Sequence, residues 1–139
     1  MLAAVTMIFN KAWNDSGGHT VGAADGGAGM PITGWSLEHG DLRVGHFIGL
    51  HALQVLPLLA WALLRWTHLD AATRARLLHV AGAAYTAVVL LVTWQALRGQ
   101  SIVRPDGVTL AASAALVGLA SVAAVTVLRR GRQQSPSVE

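Results

Sequence analysis

The chain has 139 residues, with 12% charged side chains against about 25% in soluble domains, and its mean hydropathy is +0.49. One domain fits that length, and the composition favours a multi-pass membrane protein over a soluble enzyme. The absence of cysteine excludes disulfides, thiolate metal centres, iron–sulfur clusters and covalently attached haem. The formal charge of +3 does not point to nucleic acid, because the arginines stand at the ends of apolar runs instead of lining one face.

Residues 1–13 (MLAAVTMIFNKAW) are apolar but too short to span a bilayer. They lack a basic segment before the apolar part and a small-residue cleavage site after it, which makes a poor signal peptide. Two readings stay open: an interfacial helix, or the remnant of a membrane helix that begins upstream of an internal methionine. Residues 14–43 form a Gly- and His-rich loop with His19, Asp25, Glu38, His39 and Asp41. Loops of that length are usually functional or disordered. The run Gly26-Gly27-Ala28-Gly29 is not a phosphate loop, since no strand leads into it and no Gly-Lys-Ser/Thr follows. Trp35 suits a lipid interface, and Asp41 suits an N-cap.

Three apolar runs follow, at 44–66, 77–97 and 108–128. At ~1.5 Å per residue, the roughly 23 residues of the first cover about 34 Å, enough for a ~30 Å hydrocarbon core. Trp61 and Trp66 mark its far interface, Arg65 snorkels there, and Pro57 predicts a kink near Leu53. Asp70 is a second N-cap candidate, and Arg104-Pro105-Asp106-Gly107 reads as a turn. The fold expected is all-α: a membrane helical bundle of three transmembrane helices with a Gly-rich outer N-terminal loop and a basic polar tail at 129–139. Arg65, Arg74, Arg76, Arg129, Arg130 and Arg132 fall on one side, and Arg43, Arg98 and Arg104 on the other. This bias puts the loop outside and the C-terminus in the cytoplasm, as for a bacterial inner-membrane protein.

The candidate chemistry lies in the first span. His46 and His51 are about 140° apart around a helix, so they cannot share one metal as an i, i+4 pair does. Each faces a different neighbour, and His51 shares its side with Phe47, Gln54 and Val55. Polar side chains inside a membrane are costly and usually face protein. His46, His51 and Gln54 are therefore the candidate cofactor-binding residues, and His46, His51 and His19 the candidate metal ligands; a further ligand would come from another helix or chain, or from His39. The alternative is that the imidazoles only hydrogen-bond between helices. His79 begins the second span, too far in depth from His51 for one haem to bridge them. Gly45-x-x-x-Gly49, and Ala114-x-x-x-Gly118 with Ser121, are small-residue ridges that allow close helix approach. Tyr85, Thr86, Thr93 and Gln95 give the second span a mildly polar face, suited to lining a site or pairing with the histidines.

With these residues in view, the chain resembles a family of uncharacterised multi-pass bacterial membrane proteins. The likeness rests on His19-Thr20-Val21-Gly22, on Asp25-Gly26-Gly27 with Pro31, and on Gly34-Trp35-Ser36. Above all it rests on Gly40-Asp41-Leu42-Arg43 running into His46-Phe47 and Gly49-Leu50-His51-Ala52-Leu53-Gln54, and it continues weakly in Trp94–Gln100. The resemblance implies longer members with further upstream spans and carries no known activity; His39 lies outside its pattern.

Three functions are compatible with the sequence. The first is a redox role, binding haem b or a transition metal through outer-side histidines. The second is a non-catalytic accessory subunit of a membrane complex, and the third a transporter half-unit that must oligomerise. The expected partners are the lipid bilayer and either copies of the same chain or a larger complex. No Ser-His-Asp spacing, paired-carboxylate site or nucleotide motif argues for a soluble type of enzyme.

Overall fold

The computed structural model describes residues 2–9, 18–66 and 68–134. The first residues of the expected outer loop (14–17), position 67 and the end of the tail (135–139) lie outside them. A short helix α1 (Leu2–Phe9) precedes two two-residue strands, β1 (Thr20–Val21) and β2 (Gly40–Asp41), and three long helices, α2 (Leu42–Trp66), α3 (Ala71–Leu97) and α4 (Gly107–Gln134). All three long helices have the length and apolarity to cross a membrane, over Leu42–Arg65, Ala71–Leu97 and Gly107–Gln133. The expected all-α membrane architecture is therefore present, with one small antiparallel sheet in which Thr20 faces Asp41 and Val21 faces Gly40.

Each long helix starts on an aspartate. Asp41 accepts the backbone N–H of Arg43 at 3.0 Å, Asp70 that of Thr73 at 2.9 Å, and Asp106 that of Thr109 at 2.8 Å. These carboxylates satisfy N–H groups that have no partner within the helix. Asp106 is also gripped by Arg98 at 2.6 Å, the chief reason its carboxyl is held well below the usual range. At the other end of α3, Gly99 turns into the left-handed region (φ +74°) and its N–H returns to the Ala96 carbonyl at 2.9 Å. Two helices run beyond their apolar stretches: α3 begins at Ala71 instead of 77, and α4 continues past 128. Arg74, Arg76, Arg129 and Arg130 mark the lipid boundary, but arginine is a good helix former and does not end the helix. Pro57, which predicts a kink near Leu53, lies inside α2, and the helix is continuous through it.

The helices form a row with α3 between α2 and α4, and α1 lies against α2. Most of the buried residues gather where the loop meets the helix ends, Thr73 at the far end of α3 being an exception. Leu42, Val21 and Ala96 form an apolar cluster against which Met7 packs. Gly40 lies so close to the Ala96 carbonyl that a Cβ there would overlap it. Lower down, Gly45 abuts Thr93 and Gly49 lies beside Val89, so the Gly45-x-x-x-Gly49 ridge is the seam between α2 and α3. At the opposite end of α3, Gly131 of α4 fits against Thr73 in the same way. The second ridge behaves differently: a Cβ on Gly118 would meet no atom within 4 Å, because Ala114, Gly118 and Ser121 face away from the rest of the described chain.

Gly45→Val places a side chain where Thr93 stands and should cost about 1–3 kcal/mol by overpacking. Gly118→Ala enters open space and should leave stability unchanged or slightly raised. Thermal unfolding in detergent checks both, and an unaltered melting temperature for Gly45→Val would refute the close seam.

Candidate functional site

The Gly- and His-rich loop is folded down onto the helix ends around one carboxylate. Asp41 is only 2% exposed. It accepts the Ser36 N–H at 3.0 Å and the Arg43 N–H at 3.0 Å, and the Arg43 side chain clamps both its oxygens, with Nη2 at 2.6 Å and Nε at 3.0 and 3.2 Å. Such a two-pronged guanidinium–carboxylate pair has a geometry that lysine cannot reproduce. The same Nη2 donates to the Gly34 carbonyl at 2.7 Å, so Arg43 ties the far turn of the loop to the start of α2. Burial pushes the Asp41 carboxyl up, but the hydrogen bonds from Arg43 and Ser36 outweigh it and leave the carboxyl below its ordinary value.

His19 stands on the other side of this group. Its Nδ1 lies 3.2 Å from Thr20 Oγ1, 3.4 Å from Asp25 Oδ1 and 3.7 Å from Asp41 Oδ1. Oxygen acceptors on that side favour a proton on Nδ1 and leave Nε2 as the acceptor of the neutral ring. Asp25 in turn accepts the Thr20 N–H at 2.9 Å, and its carboxyl is also held below its ordinary value; burial opposes this, and Thr20 and then His19 drive it. Ser101 Oγ donates to the Ser36 carbonyl at 2.7 Å while Gln95 Nε2 donates to the Ser101 carbonyl at 2.8 Å. The loop is therefore bonded to the end of α3 as well as to α2. It leaves a cavity of about 190 Å³, bounded by His19, Ser36, Glu38, His39, Arg43 and glycine backbone.

The histidines of α2 lie apart from this cavity. His51 Nδ1 sits 2.8 Å from the Phe47 carbonyl, and since a carbonyl only accepts, Nδ1 carries the proton and Nε2 is bare. Its ring lies against Phe47, tilted by 42° with centroids 4.1 Å apart, and Trp35 meets Phe47 edge-on at 5.6 Å, so Trp35 packs onto the helix instead of standing alone at an interface. His46 lies one turn below Leu42 on the same side of the helix, and its Nδ1 is buried with no hydrogen-bond partner among the described residues. Gln54 is exposed at the midpoint of the span, with no hydrogen bond among the described residues. His79 Nδ1 donates to the Ala75 carbonyl at 2.7 Å on its own helix.

The candidate ligands thus fall in three places: His19 in the Gly-rich loop, and His46 and His51 on different sides of α2. Among the described residues, no three His, Asp or Glu side chains stand close enough together to hold a metal ion. The polar face expected on α3 is used for structure. The Tyr85 hydroxyl donates to the Ile48 carbonyl of α2 at 2.6 Å, and Thr86 and Thr93 donate to carbonyls of their own helix. In the sequence Arg43 reads only as a topology marker and as part of the central motif, not as a site residue; its position two residues after a capping aspartate is the available signal. Comparisons with protein families, with curated proteins and with solved structures find no match.

Because Asp41 has a lowered value in the folded chain, its contribution is complete above the ordinary value of 3.8 and is lost as pH falls through the lowered one. Protease cleavage between residues 20 and 40 should therefore rise in acid below about pH 4 in the native chain. Asp41→Asn should be readily cleaved already at pH 7; a loop that stays protected in that variant contradicts the anchoring role.

Proposed function

We propose that the chain is a non-catalytic structural subunit of a membrane assembly, built by packing the Phe47–His51–Gln54 side of α2 against a second copy. The observation that carries this reading is Gln54. A primary amide at mid-span, turned away from the chain's own helices, meets hydrocarbon unless other protein covers it, and an unpaired amide there costs several kcal/mol. An amide carries both donor and acceptor, so two copies related by a two-fold axis satisfy each other's Gln54 across a self-complementary interface. The row of three helices supports the same reading, since by itself it encloses no pathway for a transported solute. The reading places the chain in a bacterial inner membrane among the multi-pass proteins its central motif resembles. The six-to-three arginine bias supports an outer loop and a cytoplasmic C-terminus.

A second reading, the redox one, is favoured by His51. A ring whose Nδ1–H is fixed on a backbone carbonyl presents a bare Nε2, the arrangement common to metal- and haem-ligating histidines. Each copy would supply one imidazole to a haem b at the shared face, with Gln54 beside it.

The cysteine-free chain permits a direct test. Single cysteines at Gln54 or Leu58 should cross-link in membranes, whereas cysteine at the equally exposed Leu119 of α4 should not. Gln54→Leu should weaken association roughly 3- to 20-fold. Cross-linking that ignores position defeats the assembly reading. For the redox reading, wild-type protein in detergent should take up haem b and show a Soret band that His51→Ala removes; wild-type protein without that band counts against it.

A further inference from the structure

The outer cavity has open valences that the anchoring network leaves unused. Arg43 commits Nε and Nη2 to Asp41 and Gly34, while Nη1 has no hydrogen bond among the described residues. The Glu38 side chain, exposed at the rim, and the His39 ring have none either. His19 is held by Nδ1, which leaves Nε2 for an incoming donor. The cavity therefore offers a guanidinium edge for an anionic group, and a carboxylate with an imidazole acceptor for a cationic one. Its volume of about 190 Å³ is below the ~300–1,000 Å³ of pockets for drug-sized ligands, which restricts the occupant to a small molecule.

Gly27 offers a position from which the cavity can be blocked. It lines the cavity, its φ is outside the positive region, and a Cβ built on it meets nothing within 4 Å. A larger side chain is therefore accommodated at Gly27 without a clash, beside the cavity that this residue lines. We infer that the cavity is a binding site for a small zwitterion of the amino-acid class. The ligand's carboxylate lies on Arg43 Nη1, and its ammonium lies between Glu38 and His19 Nε2. This site is separate from the α2 face and does not depend on self-assembly.

The test is isothermal titration of the full chain in lipid nanodiscs with three probes: L-alanine, L-alanine amide, which lacks the carboxylate, and N-acetyl-L-alanine, which lacks the ammonium. L-Alanine should bind, and both derivatives should bind at least about tenfold more weakly, the loss of one charged hydrogen bond. Gly27→Leu should abolish binding with the melting temperature unchanged, and Glu38→Gln, which alters an exposed side chain, should weaken L-alanine and L-alanine amide while leaving N-acetyl-L-alanine unchanged. Gln54→Leu should bind as wild type does. Absence of L-alanine binding up to ~10 mM, equal binding of the three probes, or full binding by Gly27→Leu would each overturn the inference.

Discussion

The structure depends on one buried negative charge. Asp41 sits where a loop that is too polar for the membrane meets a helix that is too apolar for water, and it bonds to both. Its carboxylate receives hydrogen bonds from the backbone and side chain of Arg43 and from Ser36, with His19 close by. A carboxylate with this little solvent is costly unless every lone pair is answered, and here it is answered mainly by a cation two residues along. Removing Arg43 leaves the Asp41 carboxylate buried without its cation. The loop between Gly18 and Asp41 is accordingly folded without a hydrophobic core of any size: Val21, Leu42 and Ala96, with Met7 against them, are its apolar contribution.

Below that junction the chain is held by different means. Lipid supplies no hydrophobic drive between helices, so contact rests on close backbone approach at Gly45 and Gly131 and on a few hydrogen bonds such as Tyr85 to the Ile48 carbonyl. Both ends of α3 are thereby pinned, the C-terminal one to the loop and α2, the N-terminal one to α4. Large apolar side chains such as Leu53, Leu58, Val117 and Leu119 face outward, as lipid contact requires. Against that background the outward Gln54 and the bare Nε2 of His51 stand out, because a lipid-facing surface gives them nothing to bond.

Two surfaces therefore remain after the fold has met its own needs. One is the side of α2 that carries Phe47, His51 and Gln54 at the level of the membrane. The other is the polar cavity above it, where Arg43 takes part in both anchoring the loop and lining the open space. Trp35 packs against Phe47 and so connects the two, since the turn that bounds the cavity also contacts the α2 face. Displacement of the loop would disturb both surfaces together.

The sequence by itself determined the membrane class, the three helices and the aspartate caps of the first two, because runs of apolar residues and N-cap chemistry are local properties with few alternatives; Asp106 reads only as part of a turn. It also separated His46 from His51 onto different sides, which helical geometry fixes whatever surrounds them. Helix ends were less legible: arginines at 74, 76, 129 and 130 end the lipid-compatible stretch, yet hydropathy carries no information on where backbone hydrogen bonding stops. Tertiary structure alone decided that Arg43 clamps Asp41, that Ser36 and Ser101 join the loop to α3, and that Gly45 meets a partner while Gly118 does not. Each of those outcomes depends on which segments come within hydrogen-bond or van der Waals distance, and the loop residues responsible have no periodicity from which that proximity can be read.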